Sequence, residues 1–315
     1  MEQLWRNQTP VGEFLLAGLS PTPQSQAALF AVFLLVYVSP LVGNTLIMAT
    51  VSSDPCLCTP MYFLLGNLSF LDLCYSTVTA PKMLLDFLSD RRSISYQACM
   101  AQLFFLHFVG AAEMFLLTVM AYDRYVAICK PLHYHSIMNR TLGRTCMSLL
   151  PWDLDGGGFL HSMVQTILTM QLPFCGPNWV DNFFCDVPPV IKLACTDTYV
   201  VELLMVSNSG LISTSCFIIL VASYTTILVR IRSPEVWRKG LSTCASHLTV
   251  VTLFFRPCIF IYAQPFSIFS VDKLVSVLYN IIIPMLNPLI YTLRNKEVKS
   301  ARRRLRTKGI TSRGR

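Results

Sequence analysis

The sequence predicts an all-α membrane protein built as a bundle of seven transmembrane helices. The first observation is composition: of the 315 residues, 53% are hydrophobic and 13% are charged, and the mean hydropathy is +0.53. A soluble domain carries about 25% charged residues, so this chain lacks the charge that a water-facing surface needs. The second observation is that the apolar residues form seven long segments, and about 20 apolar residues span a bilayer as a helix.

The predicted spans follow these segments in chain order. Each is long enough to cross a bilayer, where a helix satisfies its own backbone hydrogen bonds. The segments cover residues 27–51, 59–82, 97–125, 142–163, 199–231, 239–263 and 272–294. The first segment starts too late and runs too long for a cleavable signal peptide. Because no repeat or linker divides the chain, we expect one domain over residues 1–315, with an extracellular tail at 1–26 and a basic cytoplasmic tail at 295–315.

The distribution of positive charge predicts how the chain sits in the membrane. Eighteen of the 25 lysine and arginine residues lie in the tail from Arg294 onward or beside the loops after spans three and five, and six lie on the opposite side. Positive residues stay cytoplasmic, so we expect a multi-pass protein of the plasma membrane with its N-terminus outside. The net charge of +8 then reflects this topology, in which the basic side of the protein faces the lipid of the cytoplasmic leaflet. It does not indicate nucleic-acid binding.

The cysteines and one sequon fit that orientation. Twelve cysteines are present, and four of them fall on the predicted outer face: Cys99, Cys175, Cys185 and Cys195. Four cysteines in an oxidising compartment allow three pairings, and spacing alone does not choose among them. Asn7 opens an Asn-x-Thr glycosylation sequence on the outer tail.

Two acidic residues lie in the middle of predicted spans. Asp72 falls in span two and Glu113 in span three, where a lone charge costs about 2.5–3.5 kcal/mol. Two interpretations remain open. The acids are neutralised and hydrogen bond to neighbouring helices, or they form a small polar pocket that holds a cation with oxygen atoms from Asn44 and Asn287. A transporter could also carry such acids, but the sequence shows neither internal repeats nor paired broken helices.

The strongest motif spans the end of the third segment. Met120 through Tyr134 reads MAYDRYVAICKPLHY, which resembles the signature of the olfactory receptors within the rhodopsin-like G-protein-coupled receptors. Further matches to that family follow in order along nearly the whole chain: Gly43-Asn44, Thr59 to Phe63, Leu68 to Asp72, Ser223-Tyr224, Lys239 to His247 and Pro284 to Tyr291.

The resemblance implies a role for individual residues. It implies disulfides from Cys99 to Cys185 and from Cys175 to Cys195, and a short amphipathic eighth helix at residues 296–306. It also implies that Arg124 pairs with Asp123 at rest and turns toward Tyr224, Tyr291 and the G protein on activation. The residues of the implied switch are Asp123, Arg124, Tyr125, Tyr224, Lys239, His247, Asn287, Pro288 and Tyr291. No cofactor is implied other than a possible sodium ion at Asp72 and Glu113.

The resemblance also implies a ligand site in the outer half of the bundle. The implied lining residues are Leu106, His107, Gly110, Ala111, Asn208, Ile212, Cys258, Ile259, Tyr262, Val277 and Asn280. This set is mainly apolar with a few hydrogen-bonding groups, as in most small-ligand cavities. No acid stands where amine receptors hold a carboxylate, so we expect a small, uncharged volatile ligand. His107 could equally be a core histidine that donates to a backbone carbonyl.

The expected function is that of an odorant receptor which activates a stimulatory olfactory-type G protein and raises cyclic AMP. The alternative is a receptor of the same family that is poorly expressed or non-functional, or that senses a non-odorant metabolite outside the nose. An enzyme is not expected, because the sequence has no HExxH, GxSxG or P-loop pattern.

Two departures from the family pattern affect this expectation. Span four contains Asp153 and Asp155 before a run of three glycines, where the family has one aliphatic residue. Acids and glycines in mid-span disfavour insertion and helix formation, so we expect poor folding. Arg256 replaces a usual glycine in span six, where it could distort the ligand site or the switch.

Overall fold

The structure is a computed structural model. It describes residues 11–19, 23–57, 59–138, 157–175, 178–230, 247–256, 258–259, 272–294, 298–301 and 303–304. Some of the predicted features lie outside these residues: the sequon at Asn7, the span-four acids Asp153 and Asp155, Lys239 and Tyr262. For Tyr291 the backbone alone is described.

Helices make up most of the described chain. The longer ones are α1 (Pro23–Ser53), α2 (Pro60–Leu88), α3 (Tyr96–Cys129), α5 (Gly157–Met170), α7 (Tyr199–Arg230), α8 (His247–Arg256) and α10 (Ile283–Arg294). The shorter ones are α4 (Tyr134–Ile137), α6 (Val187–Ile191) and α9 (Asp272–Val277), with a π-helical turn at Leu278–Ile282 and 3-10 turns at Pro55–Leu57 and Pro131–His133.

The observed helix ends depend on local chemistry. Helix α1 begins at Pro23, ahead of the predicted residue 27, because proline suits the first turn of a helix. Helix α2 continues beyond the predicted residue 82, because Met83, Leu84 and Phe87 are buried in the bundle core. Lys82 and Asp86 also form an ion pair one turn apart. The hydroxyl of Ser95 caps α3 by accepting from the Ala98 amide at 3.2 Å.

Four of the described helices are both long and apolar enough to cross a membrane: residues 25–53, 96–129, 199–230 and 273–290. Their outward faces are apolar, with Leu35, Leu211 and Val229 at least 70% exposed, as a lipid-facing surface requires. Helix α2 is 29 residues long but carries charged side chains. Of the predicted spans four and six, the structure describes 157–163 and 247–256 with 258–259.

A small sheet covers one end of the bundle, which the prediction of an all-α protein did not include. Strand β1 (Glu13–Leu16) pairs antiparallel with β2 (Ser93–Ser95) and parallel with β3 (Trp179–Val180). All three strands come from segments predicted as tail or loops. Their pairing is long-range in sequence, so the local patterns used to predict helices could not indicate it. We call this end of the bundle the sheet end.

Helix α3 lies at the centre of the packing. It packs against α2, α5 and α7, while α1 packs against α2 and α10. Gly43 lets α1 approach α10 closely, since a Cβ atom at that position would lie 3.0 Å from the Pro288 ring. The continuous apolar core of the bundle therefore surrounds α3, and a second cluster around Phe14 and Cys99 lies beneath the sheet.

The opposite end of the bundle carries the signature motif, and we call it the Arg124 end. Residues 298–301 and 303–304 are helical there, with Val298 and Ala301 buried in the bundle core. The Arg304 guanidinium binds the Asp54 carboxylate at 2.7 Å, after the end of α1. These contacts place the start of the basic tail against the bundle, and the complete eighth helix stays a prediction.

Candidate functional site

A cavity lies between α3, α5 and α7. A water-sized sphere can place its centre in about 30 Å³ of it, which is room for one or two water molecules. The lining residues are Tyr75, Leu106, His107, Gly110, Ala111, Met114, His161, Ser209, Ile212 and Ser213. The lining combines apolar surface with two imidazoles and three hydroxyl groups, which suits a small ligand with one polar group.

The structure brings part of the predicted ligand set together. Five of the predicted residues line the cavity: Leu106, His107, Gly110, Ala111 and Ile212. They share one face because helical residues three or four positions apart lie side by side. Asn208 lies next to the cavity, since its side chain interacts with the His161 ring.

The other described members of the set lie elsewhere. Cys258 is buried in the bundle core, whereas Ile259 is 42% exposed, because successive helix residues are turned by about 100°. Asn280 is buried in the π-helical turn and donates to the Ser276 carbonyl at 2.9 Å. Val277 packs against the core cluster. None of these four contributes to the described lining of the cavity.

The sequence did not indicate the other five residues that line the cavity: Tyr75, Met114, His161, Ser209 and Ser213. A signal for His161 existed, because polar residues recur at helical spacing along α5. Gln165, one turn after His161, donates to the Ser209 hydroxyl at 2.8 Å and to the Met205 carbonyl at 3.0 Å. This polar stripe therefore joins α5 to α7 at the cavity.

His107 combines both roles considered for it. Its Nδ1 lies 2.9 Å from the Leu103 carbonyl oxygen, so it is a buried histidine that donates to the backbone of its own helix. It also lines the cavity, and its ring centroid lies 6.0 Å from that of His161. The backbone bond fixes the ring, so the second nitrogen has a defined position.

The two mid-span acids meet at a shared amide. Asn287 donates to the Asp72 carboxylate at 2.8 Å and to the Glu113 carboxylate at 3.4 Å. Both acids are 1% exposed. The Asn44 amide donates to the Pro284 carbonyl at 3.5 Å. The acids therefore face the bundle interior, as the cost of a charge in lipid requires.

Oxygen atoms at this cluster fit a hard cation. Asp72 Oδ2, Asn287 Oδ1 and Asn44 Oδ1 are buried with no hydrogen-bond partner among the described residues. Carboxylate and amide oxygens are the ligands that hard cations prefer. The described residues include no group of three or more His, Cys, Asp or Glu side chains placed to hold a metal, so a cation here would depend on the two acids and these amides.

At the other end of α3, Arg124 binds its neighbour. Its Nε donates to the Asp123 carboxylate at 3.1 Å, and its guanidinium forms an ion pair with the same oxygen. The Tyr134 hydroxyl donates to the other carboxylate oxygen at 2.8 Å. Tyr134 is the last residue of the motif MAYDRYVAICKPLHY, but the motif did not indicate a role for it.

The partners implied for the active switch have other contacts in this structure. The Tyr224 hydroxyl is hydrogen bonded to His247 Nδ1, and both side chains are buried. This bond joins α7 to α8, while Arg124 is held by Asp123. The arrangement corresponds to the resting state described for the switch. Tyr125 is half-buried beside the bundle core, and Pro288 is buried within α10.

Arg256 does not reach the cavity. Its side chain is exposed on α8, so the expected distortion of the ligand site is not seen in the described residues. The bundle interior at this level is filled by Phe254 and Phe255, each 1% exposed.

The structure joins the outer cysteines in the pairing that the resemblance implied. Cys99 at the start of α3 is bonded to Cys185 before α6, and Cys175 is bonded to Cys195. The Cα atoms are 5.5 Å and 5.6 Å apart, within the range that a disulfide spans. Both bonds lie at the sheet end.

Comparison with known proteins gives a consistent result. The sequence model of the family described as "Olfactory receptor" matches residues 33–308. The chain is 71% identical to human olfactory receptor 4Q2 over 303 residues, which cover 95% of each protein. It is 56% identical to mouse olfactory receptor 4E2 over 308 residues, covering 97% of this chain and 99% of the relative. It is also 56% identical to human olfactory receptor 4N5 over 304 residues, which cover 95% of this chain and 97% of the relative.

Proposed function

The chain belongs to the olfactory receptor family, and we propose that it is an odorant receptor that binds a small, mostly apolar volatile ligand and activates a stimulatory G protein. Family members are G-protein-coupled receptors of the membrane and are not enzymes. The proposal adds that ligand binding raises cyclic AMP, that the sheet end is extracellular and that the Arg124 end is cytoplasmic at the plasma membrane.

One observation carries the proposal: the same helices line the cavity and carry the switch. Helix α3 contributes His107 and Met114 to the cavity and Asp123 and Arg124 to the switch. At 1.5 Å per residue, His107 and Arg124 are about 26 Å apart along one helix. Helix α7 likewise runs from the cavity at Ser209 to Tyr224.

This geometry supports a two-state mechanism. A ligand in the cavity contacts α3, α5 and α7, so it favours whichever packing of these helices fits it best. Movement of α7 against α8 breaks the Tyr224–His247 hydrogen bond and frees the tyrosine hydroxyl. Arg124 then exchanges Asp123 for that hydroxyl, and the Arg124 end becomes available to the G protein.

The test is a cyclic-AMP assay in cells that express the chain with a stimulatory G protein, alongside surface staining. We expect a subset of uncharged volatiles to raise cyclic AMP. Arg124→Ala should abolish the response and leave surface staining largely intact. The control is Lys130→Ala, which removes an exposed basic side chain just beyond the end of α3 and should leave the response nearly unchanged.

Two results would contradict the proposal. An undiminished response in Arg124→Ala would contradict the assignment of Arg124 to the switch. Normal surface staining with no response to any volatile would favour the alternative, a non-functional receptor or one that senses a non-odorant metabolite.

The acid cluster supports a second part of the proposal, a sodium site that stabilises the resting state. Asp72 and Glu113 would hold the ion together with the amide oxygens of Asn44 and Asn287. A sodium ion held there would supply positive charge that favours the ionised form of these acids. Without it, two ionised carboxylates would repel each other, which would disfavour the resting packing.

Sodium should therefore raise the thermal stability of the detergent-solubilised receptor relative to choline, and Asp72→Asn should remove that difference. Asp90→Asn changes an exposed acid at the sheet end and should leave the sodium effect intact. Equal melting temperatures in sodium and choline would show that the acids are neutralised by protons.

A further inference from the structure

An apolar contact and an ion pair hold the start of the basic tail against the bundle. Val298 and Ala301 are 2% and 0% exposed and belong to the bundle core. Arg304, from the same helical segment, reaches the loop after α1, where its Nη2 and Nε atoms lie 2.7 Å and 3.1 Å from Asp54 Oδ2. The Asp54 side chain is 7% exposed, so loss of the guanidinium would leave a buried carboxylate with less compensation.

Ser300 lies on the outer side of this segment. Its side chain is exposed, because Ser300 is two positions after Val298 and therefore points about 200° away from it around the helix. Arg304 follows Ser300 by four positions, and residues four apart on a helix have Cβ atoms about 5–6 Å from each other. A charged group added to Ser300 would therefore lie within reach of the guanidinium that binds Asp54.

The sequence around Ser300 is basic on both sides. Residues 296–304 read KEVKSARRR, with five basic residues and one acid. A kinase with an acidic substrate cleft attracts such a segment through complementary charge. In the proposed orientation the Arg124 end faces the cytoplasm, where ATP and protein kinases are found. Ser300 therefore combines a suitable sequence, an exposed hydroxyl and a suitable compartment.

We propose that Ser300 is a phosphorylation site for a kinase that prefers basic substrates, and that its phosphate draws Arg304 away from Asp54 and releases the start of the tail from the bundle. In the transfer, Ser300 Oγ attacks the γ-phosphorus of ATP. The new O–P bond forms as the bond to ADP breaks, the hydroxyl proton passes to the kinase, and ADP leaves.

The balance of charge favours the phosphate as the partner of Arg304. A phosphoserine carries a charge of about −1.5 to −2 and three strong acceptor oxygens at neutral pH, whereas a carboxylate carries a single charge. Guanidinium binds phosphate through two parallel hydrogen bonds, and the exposed Arg303 lies three positions from Ser300. The phosphate also repels the nearby Asp54 carboxylate. Attraction and repulsion thus both weaken the contact that docks the tail.

Docking and phosphorylation should oppose each other in both directions. An isolated helix of a few residues is marginal in water, so the released segment is readily bound by a kinase as an extended chain. Because thermodynamic coupling is reciprocal, any change that releases the segment should also make Ser300 a better substrate.

The first experiment tests the modification. The solubilised full-length receptor is incubated with ATP and the catalytic domain of a kinase directed to lysine- and arginine-rich sequences, then cleaved with chymotrypsin. Cleavage after Leu293 and Leu305 gives a peptide of residues 294–305, in which Ser300 is the only hydroxyl side chain. Mass spectrometry should find one phosphate on this peptide, and none in Ser300→Ala. Absence of phosphate at Ser300 would overturn the inference, whether or not Thr307 and Ser312 are modified.

The second experiment tests the release. Hydrogen exchange of the backbone amides in residues 298–304 is compared before and after phosphorylation. We expect exchange to be faster by a factor of about 5–30, the effect of losing one charged hydrogen-bonded contact. Ser300→Asp should cause a smaller increase, and Ser300→Asn, which has the same size without the charge, should cause none. Unchanged exchange in the phosphorylated protein would overturn the release.

Two variants test the role of the ion pair. Asp54→Asn and Arg304→Gln each remove one of its charges, so each should raise exchange without phosphate. Asp54→Asn should also speed the phosphorylation of Ser300, and phosphorylation should then add little further exchange. The control is Asp90→Asn, an exposed acid at the sheet end, which should change neither rate. A full increase on phosphorylation in both Asp54→Asn and Arg304→Gln would show that the phosphate acts through other contacts.

These measurements separate the inference from the proposed function. Both are made on the solubilised receptor without an odorant, so they stand or fall independently of the cyclic-AMP response. Staining of a C-terminal tag on intact cells tests the orientation: staining without permeabilisation would place Ser300 outside the cell and overturn its role as a kinase substrate.

Discussion

At the scale of single residues, Asp123 binds both Arg124 and Tyr134 in this structure. Its side chain is fully buried at the end of α3 and accepts hydrogen bonds from Arg124 and from the Tyr134 hydroxyl. A buried carboxylate is stable when charged donors or hydroxyls satisfy its oxygens. Burial raises the pKa of Tyr134, and the neighbouring Asp123 raises it further, so the hydroxyl keeps its proton and donates at neutral pH.

Tyr134→Phe removes this donor and leaves the ring. A hydrogen bond to a charged group contributes about 1.5–3 kcal/mol, so its loss weakens the resting pair of Asp123 and Arg124. We expect basal cyclic AMP to rise by a factor of about 5 or more, since one or two kcal/mol shifts an equilibrium by that amount.

The matched control for this prediction is Tyr122→Phe. It makes the same chemical change on α3, at a side chain that is 39% exposed, and should leave basal cyclic AMP unchanged. If both variants behave like the parent, Tyr134 does not hold the resting switch.

At the scale of elements, strand β1 turns part of the predicted tail into a structural component. Phe14 in this strand is fully buried, with its ring 5.6 Å from Phe174 and 6.0 Å from Tyr96. Glu13 forms an ion pair with Arg91 at the neighbouring strand. The strand thereby links residues 13–16 to the two segments that carry β2 and β3.

Phe14→Ala should destabilise the sheet end. Removal of a buried phenylalanine costs about 3–5 kcal/mol, so we expect a lower melting temperature and reduced surface staining. Trp179→Ala in strand β3 removes a larger but 54% exposed side chain and should have a much smaller effect. Equal melting temperatures of parent and Phe14→Ala would show that β1 does not contribute to stability.

Span four carries the clearest defect predicted from sequence. Asp153 and Asp155 lie outside the described residues, immediately before α5. On a helix they would project about 200° apart, so both could not face one partner, and each exposed acid costs about 2.5–3.5 kcal/mol in mid-membrane. Beyond them, α5 packs closely on α3, since a Cβ at Gly158 would lie 3.6 Å from the Ala111 side chain.

Replacement of Asp153-Leu154-Asp155 by a single valine should therefore raise surface staining several-fold. Asp90→Val removes an exposed acid outside the bundle and should not raise it. Equal staining of the parent and the valine variant would show that the chain accommodates the two acids.

At the scale of the whole molecule, the two disulfides and the sheet tie the loops to α3. The bond between Cys99 and Cys185 closes a loop of 86 residues, for which chain entropy predicts a stabilisation of about 4–5 kcal/mol. It also positions the Cys185 amide, which donates to Gln102 of α3 at 2.9 Å. The sheet end is thus cross-linked covalently, whereas the described contacts at the Arg124 end are non-covalent.

Cys99→Ser and Cys185→Ser should each lower the melting temperature strongly, and the double variant should be no worse than either, because all three lose the same bond. The control is Cys74→Ser, at a free and half-buried cysteine, which should change the melting temperature little. A double variant much less stable than both single ones would indicate that the cysteines stabilise the fold separately.

The sequence by itself determined the membrane class, the helices that the structure describes in full and the family. Long apolar segments and the MAYDRYVAICKPLHY motif are local signals, and helix formation depends on neighbours a few positions away. Local signals also placed Asp72, Glu113 and Arg124 correctly within their helices. The length of the apolar segments alone could not place the ends of α1 and α2, which depend on Pro23 and on the burial of Met83, Leu84 and Phe87.

The tertiary structure decided what those helices bring together. It paired β1 with two distant loops, placed His161 at the same cavity as His107, and turned Ile259 and Arg256 away from it. It also placed one amide, Asn287, between two acids from different helices. These contacts join residues far apart in sequence, and they depend on how each helix is rotated about its axis. Rotation is set by packing against neighbouring helices, so a pattern read along the chain could not supply it.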